Sequence, residues 1–212
     1  MAFSIYSSDY NFRINDVEHR GQLYRVSLTD KFNFIGKPNQ HTEHTKQAIK
    51  SNKPHTVSLP FYHDLFTNLF RNRNGEFKEE IEQARQFIRK IMFENIFSTT
   101  LTTVNYQSKG KDEVIHDCGL DSQEIILENI VGPNEFIKDS KTSSVYKALL
   151  GTDNIKEINQ IYDWLLNNNP KLWPLNKKPK KIDRRVAGFD AFSGGVGLSC
   201  NGGPGARFIR SG

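Results

Sequence analysis

Hydrophobic and polar positions change their spacing several times along the chain, and each change marks an expected element. Residues 3–30 alternate in short pieces. FSIY, YNFRI (Tyr10, Phe12, Ile14) and QLYRVSL (Leu23, Val26, Leu28) read as strands, joined through Asn15-Asp16 and His19-Arg20-Gly21. An N-terminal hairpin is expected from them. Residues 31–56 are polar and carry Gly36, Pro38 and Pro54. They read as a long surface loop with a short helix near 42–50.

The spacing then becomes helical. Ser58 stands where a helix N-cap belongs, and Pro60 falls in the first turn, where its missing N–H costs nothing. Phe61, Leu65, Phe66, Leu69 and Phe70 share one face, and Asn72-Arg73-Asn74-Gly75 ends the run. A second helix is predicted from near Glu76 to Phe97, with Phe77, Ile81, Ala84, Ile88, Ile91 and Met92 on one stripe and Phe87 widening it. Its glutamates come early and its arginines late, which suits the helix dipole. The two helices are expected to pack as an αα-hairpin.

From Ser98 to about Ile137 the period shortens to two. TTLTTVNYQ, DEVIHDCG and EIILENIVG read as short strands of a small antiparallel sheet, with a turn at 108–112 and a stop at Gly132-Pro133-Asn134. Helices return at 145–150 and 153–167, the second capped by Thr152 and stopped by Asn167-Asn168-Asn169-Pro170. KLWPLNKKPKKIDRRV then reads as an extended arm. VAGFDAF, VGLSC and ARFIR follow as three strands joined by glycine-rich turns, and this region holds eight of the 15 glycines. The expected fold class is therefore α+β: a helical hairpin, a second helical pair, a small sheet and a glycine-rich C-terminal β segment. The expected organisation is a body over 1–170, a basic proline-containing arm over 171–185, and a β segment over 186–212 packed on the body. Trp164 is expected in the core, and Trp173 is expected to pin the arm to it.

Composition sharpens this picture in three ways. At 212 residues, with 15 Phe and 7 Tyr, the chain can bury an aromatic-rich core without a disulfide or metal. Cys118 and Cys200 are too few and too far apart for a disulfide scaffold. The first residues lack the charged and apolar blocks of a signal peptide, and no stretch is apolar enough to span a bilayer. A cytoplasmic protein with no membrane partner is expected. The net charge of +5 is uneven: residues 171–212 hold nine basic and two acidic residues, while the remaining 170 carry a net charge of −2.

Four clusters carry candidate chemistry. Lys177, Lys178, Lys180, Lys181, Arg184 and Arg185, with Trp173 before them, would attract phosphate and offer one aromatic for base stacking. Asp112, Glu113, His116, Asp117 and Cys118 crowd a turn and strand with groups able to act as acid, base or nucleophile. On a strand, Glu113 and Asp117 would face one side while Val114, His116 and Cys118 faced the other. His41 and His44, with His55 and His63 downstream, lack the frame of a zinc protease, and no metal or cofactor is expected. GGVG and NGGPG lack the Gly-Lys-Ser/Thr ending of a phosphate loop, and hairpin turns account for them. A helix-turn-helix over 145–165 is disfavoured, because Asp153, Glu157 and Asp163 would face phosphate.

Three function classes follow. The first is a binding protein whose basic C-terminal arm contacts nucleic acid or an acidic partner. The second is a small hydrolase- or nuclease-like enzyme with its site near Asp112–Cys118, on an unspecified small-molecule substrate. The third is a structural protein with no site.

Overall fold

The computed structural model describes residues 3–8, 11–28, 38–51, 53, 55–94, 97–138, 143–192, 195–202 and 207–208. Its elements are β1 (Ser4–Ser8), β2 (Asn11–His19), β3 (Gln22–Leu28), α1 (Pro38–Lys50), α2 (Leu59–Asn72), α3 (Lys78–Glu94), β4 (Phe97–Tyr106), β5 (Asp112–His116), β6 (Glu124–Glu128) and β7 (Glu135–Phe136). After these come α4 (Ser143–Leu150), α5 (Ile155–Leu166), β8 (Lys171–Trp173), β9 (Asp183–Phe192), β10 (Gly195–Gly202) and β11 (Arg207–Phe208).

The N-terminal alternation yields a three-stranded antiparallel sheet, β1-β2-β3. Its β2–β3 connection is a two-residue turn, with Arg20 at φ 50° and Gly21 at φ 74°. Positive φ at both central positions matches the right-handed twist of the flanking strands. The other strands form one large sheet in the order β6-β5-β4-β9-β10-β8-β7, curled as a half-barrel, with β11 alongside β4.

This corrects the expected small sheet with helical hairpins. β9 lies between β4 and β10, so the glycine-rich segment supplies two of the sheet's inner strands. The basic stretch enters the same sheet: β8 runs parallel to β10, and Arg184 and Arg185 belong to β9. The reason is non-local pairing, which leaves no periodic trace in a single segment. Gly197 illustrates it, because a Cβ there would lie 2.4 Å from the Lys171 carbonyl oxygen of β8. Only glycine lets those two backbones approach so closely. The Ser193-Gly194 turn and most of the Gly203–Gly212 stretch fall outside the described residues.

The helices form where the 3.6-residue period places them, but they pack differently. α2 buries residues around most of its circumference and lies chiefly against β2, α4 and α5, rather than pairing mainly with α3. Ser58 stands at its N-cap, yet its buried hydroxyl makes no hydrogen bond among the described residues. The Leu59 N–H is taken instead by the Thr102 hydroxyl of β4, at 2.9 Å. At α5 the cap is Asn154, whose side chain accepts from the Glu157 N–H at 3.2 Å, while Thr152 accepts from Asn154. The continuous core includes Leu59, Leu65, Phe66, Ile81, Tyr106, Tyr146 and Tyr162. Trp164 packs at its margin, edge-on to Phe70. Among the described residues no helix is long and apolar enough to cross a membrane.

Candidate functional site

The β2–β3 turn overhangs the N-terminal half of α2 and the end of α4, leaving a cleft of about 590 Å³. Three histidines from three elements line it: His19 at the end of β2, His63 on α2 and His116 at the end of β5. All three are buried, and their hydrogen bonding separates their roles.

His116 is fully engaged. Its Nε2 lies 2.8 Å from the Ala148 carbonyl oxygen, and its Nδ1 lies 2.9 Å from the Thr102 hydroxyl. A carbonyl only accepts, so Nε2 carries the proton and Thr102 donates to Nδ1. Burial holds this imidazole below its usual pKa and therefore neutral. The ring ties β4, β5 and α4 together. His63 is pushed down to about 4 by burial, and its Nδ1 has no hydrogen-bond partner among the described residues.

His19 differs from both. Its Nδ1 lies 2.7 Å from Asp64 Oδ2, which is on the first turns of α2. The carboxylate accepts, so Nδ1 bears the proton and Nε2 keeps its lone pair. Nε2 makes no hydrogen bond among the described residues, and His19 lines the cleft wall. Aromatic rings fix the imidazole: Phe61 lies 4.9 Å and Tyr24 6.1 Å away, centroid to centroid.

Beside His19, the turn residue Arg20 bonds Glu124 and lies 3.7 Å from Asp117. Arg20 and Asp117 both hold a positive φ, 50° in each case. Arg71 pairs with Glu157 at 2.9 Å across the far wall. Set against Glu18, Asp64, Glu124 and Glu157, the cations Arg20, Arg71 and Lys147 leave the cleft close to charge balance. A second cleft of about 430 Å³ opens on the other side of His19 and Arg20, with Tyr24, Phe61, Ile49 and Val57 giving it an apolar, aromatic wall. Among the described residues no group of three His, Cys, Asp or Glu side chains is placed to hold a metal ion.

The residues singled out in the sequence are scattered. Asp112 is fully buried and accepts from the Gln107 N–H at 2.9 Å, the Ile130 N–H at 3.1 Å and the Lys178 ammonium. Glu113 lies on the opposite face of β5 and accepts from Asn105 at 3.0 Å. The strand ends at His116, so Asp117 and Cys118 follow in a turn instead of continuing the alternation. His116 reaches the first cleft and Asp117 the second. Cys118 is buried and free, its sulfur touched by the Arg184 guanidinium. Cys200 is also free, and burial pushes its thiol up to about 12.

The basic residues divide in the same way. Lys178 pairs with Asp112, and Arg185 with Asp183 at 2.8 Å, while Trp173 is half-buried in β8. Lys177, Lys180 and Lys181 are exposed. His44 and His55 sit on different segments, α1 and the connection after it, and the His41 side chain lies outside what is described.

His19 and Asp64 were missed because 45 positions separate them and neither stands in a diagnostic motif. The available signal was a histidine abutting an Arg-Gly turn, together with an His63-Asp64 pair breaking the apolar face of a helix. Compared with models of protein families, with curated proteins and with solved structures, the chain matches none.

Proposed function

We propose that this chain is a small acid–base enzyme of hydrolase-like chemistry, with His19 as the general base and Asp64 as the residue that orients it. The observation that carries this reading is the 2.7 Å Nδ1–Oδ2 contact, which leaves Nε2 unpartnered on the wall of a 590 Å³ cleft. A carboxylate on Nδ1 sets the tautomer and stabilises the imidazolium that forms when Nε2 takes a proton. Water, or a hydroxyl of the substrate, is the group activated, since among the described residues no serine or cysteine is hydrogen-bonded to His19.

The charge balance of the cleft argues for a small polar substrate over a polyanion. The aromatic wall beyond His19 suits a planar or apolar substituent on that substrate. Asp112 and Glu113 are left outside the chemistry because neither lines the cleft and both oxygens of Asp112 are already committed.

The reading is tested by turnover of chromogenic carboxylic, phosphoric and glycosidic esters by the wild type and by His19→Gln and Asp64→Asn. The expected result is turnover of one class, reduced about 10²–10⁴-fold by His19→Gln, with melting curves unchanged. Turnover that survives His19→Gln, or no turnover of any class, overturns it.

A further inference from the structure

Five lysines from two distant segments meet at one end of the large sheet, and none of them makes an ion pair among the described residues. We infer that this end of the molecule binds the phosphate backbone of a nucleic-acid duplex, through Lys109 and Lys111 on the β4–β5 turn and Lys177, Lys180 and Lys181 on the β8–β9 connection. All five are exposed.

The convergence follows from the sheet. Asp183, at the start of β9, pairs with Tyr106 at the end of β4, so the residues before Asp183 run beside the turn after Tyr106. The connection is held at three points. Leu175 donates its N–H to the Tyr106 hydroxyl at 3.3 Å, and its carbonyl accepts from the Gly132 N–H at 3.0 Å. Lys178 reaches inward to buried Asp112, the residue next to Lys111. A loop fixed in this way presents its remaining lysines without the entropy loss that a free arm suffers on binding.

Nearby carboxylates do not neutralise the patch. Asp112 is consumed by Lys178 and two backbone N–H groups and Asp183 by Arg185, while Glu113, held by the neutral Asn105 amide, keeps its charge and is outnumbered by the lysines. The surface is therefore a compact block of uncompensated ammonium groups on a body that is otherwise close to neutral.

The kind of partner follows from what accompanies the lysines. Protein interfaces are anchored by aromatic or arginine side chains in apolar surroundings and are depleted in lysine. Here, among the described residues, the exposed large apolar side chains near the lysines are Ile182 on the connection and Leu127 on β6, both aliphatic and neither aromatic. Single strands need aromatic platforms on which bases stack, and Trp173 is half-buried in β8. Lysines alone fit phosphates held at a fixed spacing, as a duplex holds them.

The test is fluorescence anisotropy with a labelled duplex of random sequence, its single strand, poly-glutamate and anionic vesicles. The expected result is duplex binding that weakens roughly 500-fold between about 50 and 200 mM salt, as five phosphate contacts require. Lys109→Glu with Lys111→Glu, on the exposed turn, should lower affinity at least about tenfold, each lost contact being read against the salt slope. Lys46→Glu with Lys50→Glu on α1 is the matched control and should change it little. Circular dichroism melts establish that both variants fold. No duplex binding at low salt overturns the inference, as does equal loss in the control, or tighter binding to poly-glutamate, vesicles or the single strand.

Discussion

Two carboxylates in this molecule each meet a basic side chain, and they could hardly be used more differently. Asp112 has no exposed side-chain surface, and two backbone N–H groups and an ammonium occupy its oxygens. Asp64 keeps 36% of its side chain exposed and spends one oxygen on His19. The first carboxylate closes the β4–β5 turn over the end of the sheet. The second leaves one imidazole nitrogen of a cleft-lining histidine without a hydrogen-bond partner among the described residues. A charge saturated by fixed donors is architecture, whereas a charge that orients a partner and leaves that partner a free valence is available for chemistry.

The sharpest way to break this comparison is to remove the closed carboxylate. Asp112→Ala strands Lys178 and two backbone N–H groups, and should cost about 3–5 kcal/mol of unfolding free energy. Urea titration of the variant measures it; a loss under about 1 kcal/mol would mean that Asp112 is not the structural member of the pair.

Acid titration addresses the histidines of the cleft. His63 falls to about 4 in the folded chain, against 6.5 when unfolded, so between those values the unfolded state binds more protons. Stability should hold above pH 6.5, fall as pH drops towards 4, and level off below. The full effect is on the order of 3 kcal/mol for His63. His116, also depressed, adds to the same limb. Denaturant midpoints across that range check this, and His63→Phe should flatten the limb.

The open carboxylate should matter less to stability. Asp64→Ala is expected to cost at most about 1 kcal/mol, because the pair it breaks is partly solvated. A loss as large as that of Asp112→Ala would erase the distinction between the two sites. Smallest of all, Lys180→Ala with Lys181→Ala should leave the melting temperature nearly unchanged, within about 0.5 kcal/mol, since both side chains are exposed and neither holds a partner among the described residues.

Much of the helical structure was legible beforehand. Ile81, Ala84, Ile88, Ile91 and Met92 are all buried on α3, and Ile155, Ile158, Ile161, Tyr162 and Leu165 on α5. Amphipathic spacing is written within a dozen residues, so these faces can be read directly. Capping was read less well. Ser58 makes no side-chain cap bond: the second residue of α2 is Pro60, which has no N–H, and the Leu59 N–H goes to Thr102, 43 positions further along the chain. The Asp112–Cys118 stretch drew notice for its density of reactive groups, yet a strand sends neighbours to opposite faces and then ends at His116. Crowding in sequence therefore became dispersion in space. The reverse happened at the cleft, where β2 and α2 brought His19 to Asp64 from segments that carried no mutual signal.

The sequence by itself determined where the main helices and several strands form, which faces of α3 and α5 are buried, and that its basic charge gathers towards the C-terminal end. Those properties rest on backbone preference and on the period of apolar side chains, and both are local. Only the tertiary structure decided that the glycine-rich end lies inside the large sheet, that Arg185 and Lys178 are consumed by carboxylates while Lys109 and Lys111 join the exposed lysines, and that one cleft histidine of three is oriented by a carboxylate. Strand order and the pairing of charges depend on contacts between residues tens of positions apart. Such contacts form only when the whole chain has closed around its core.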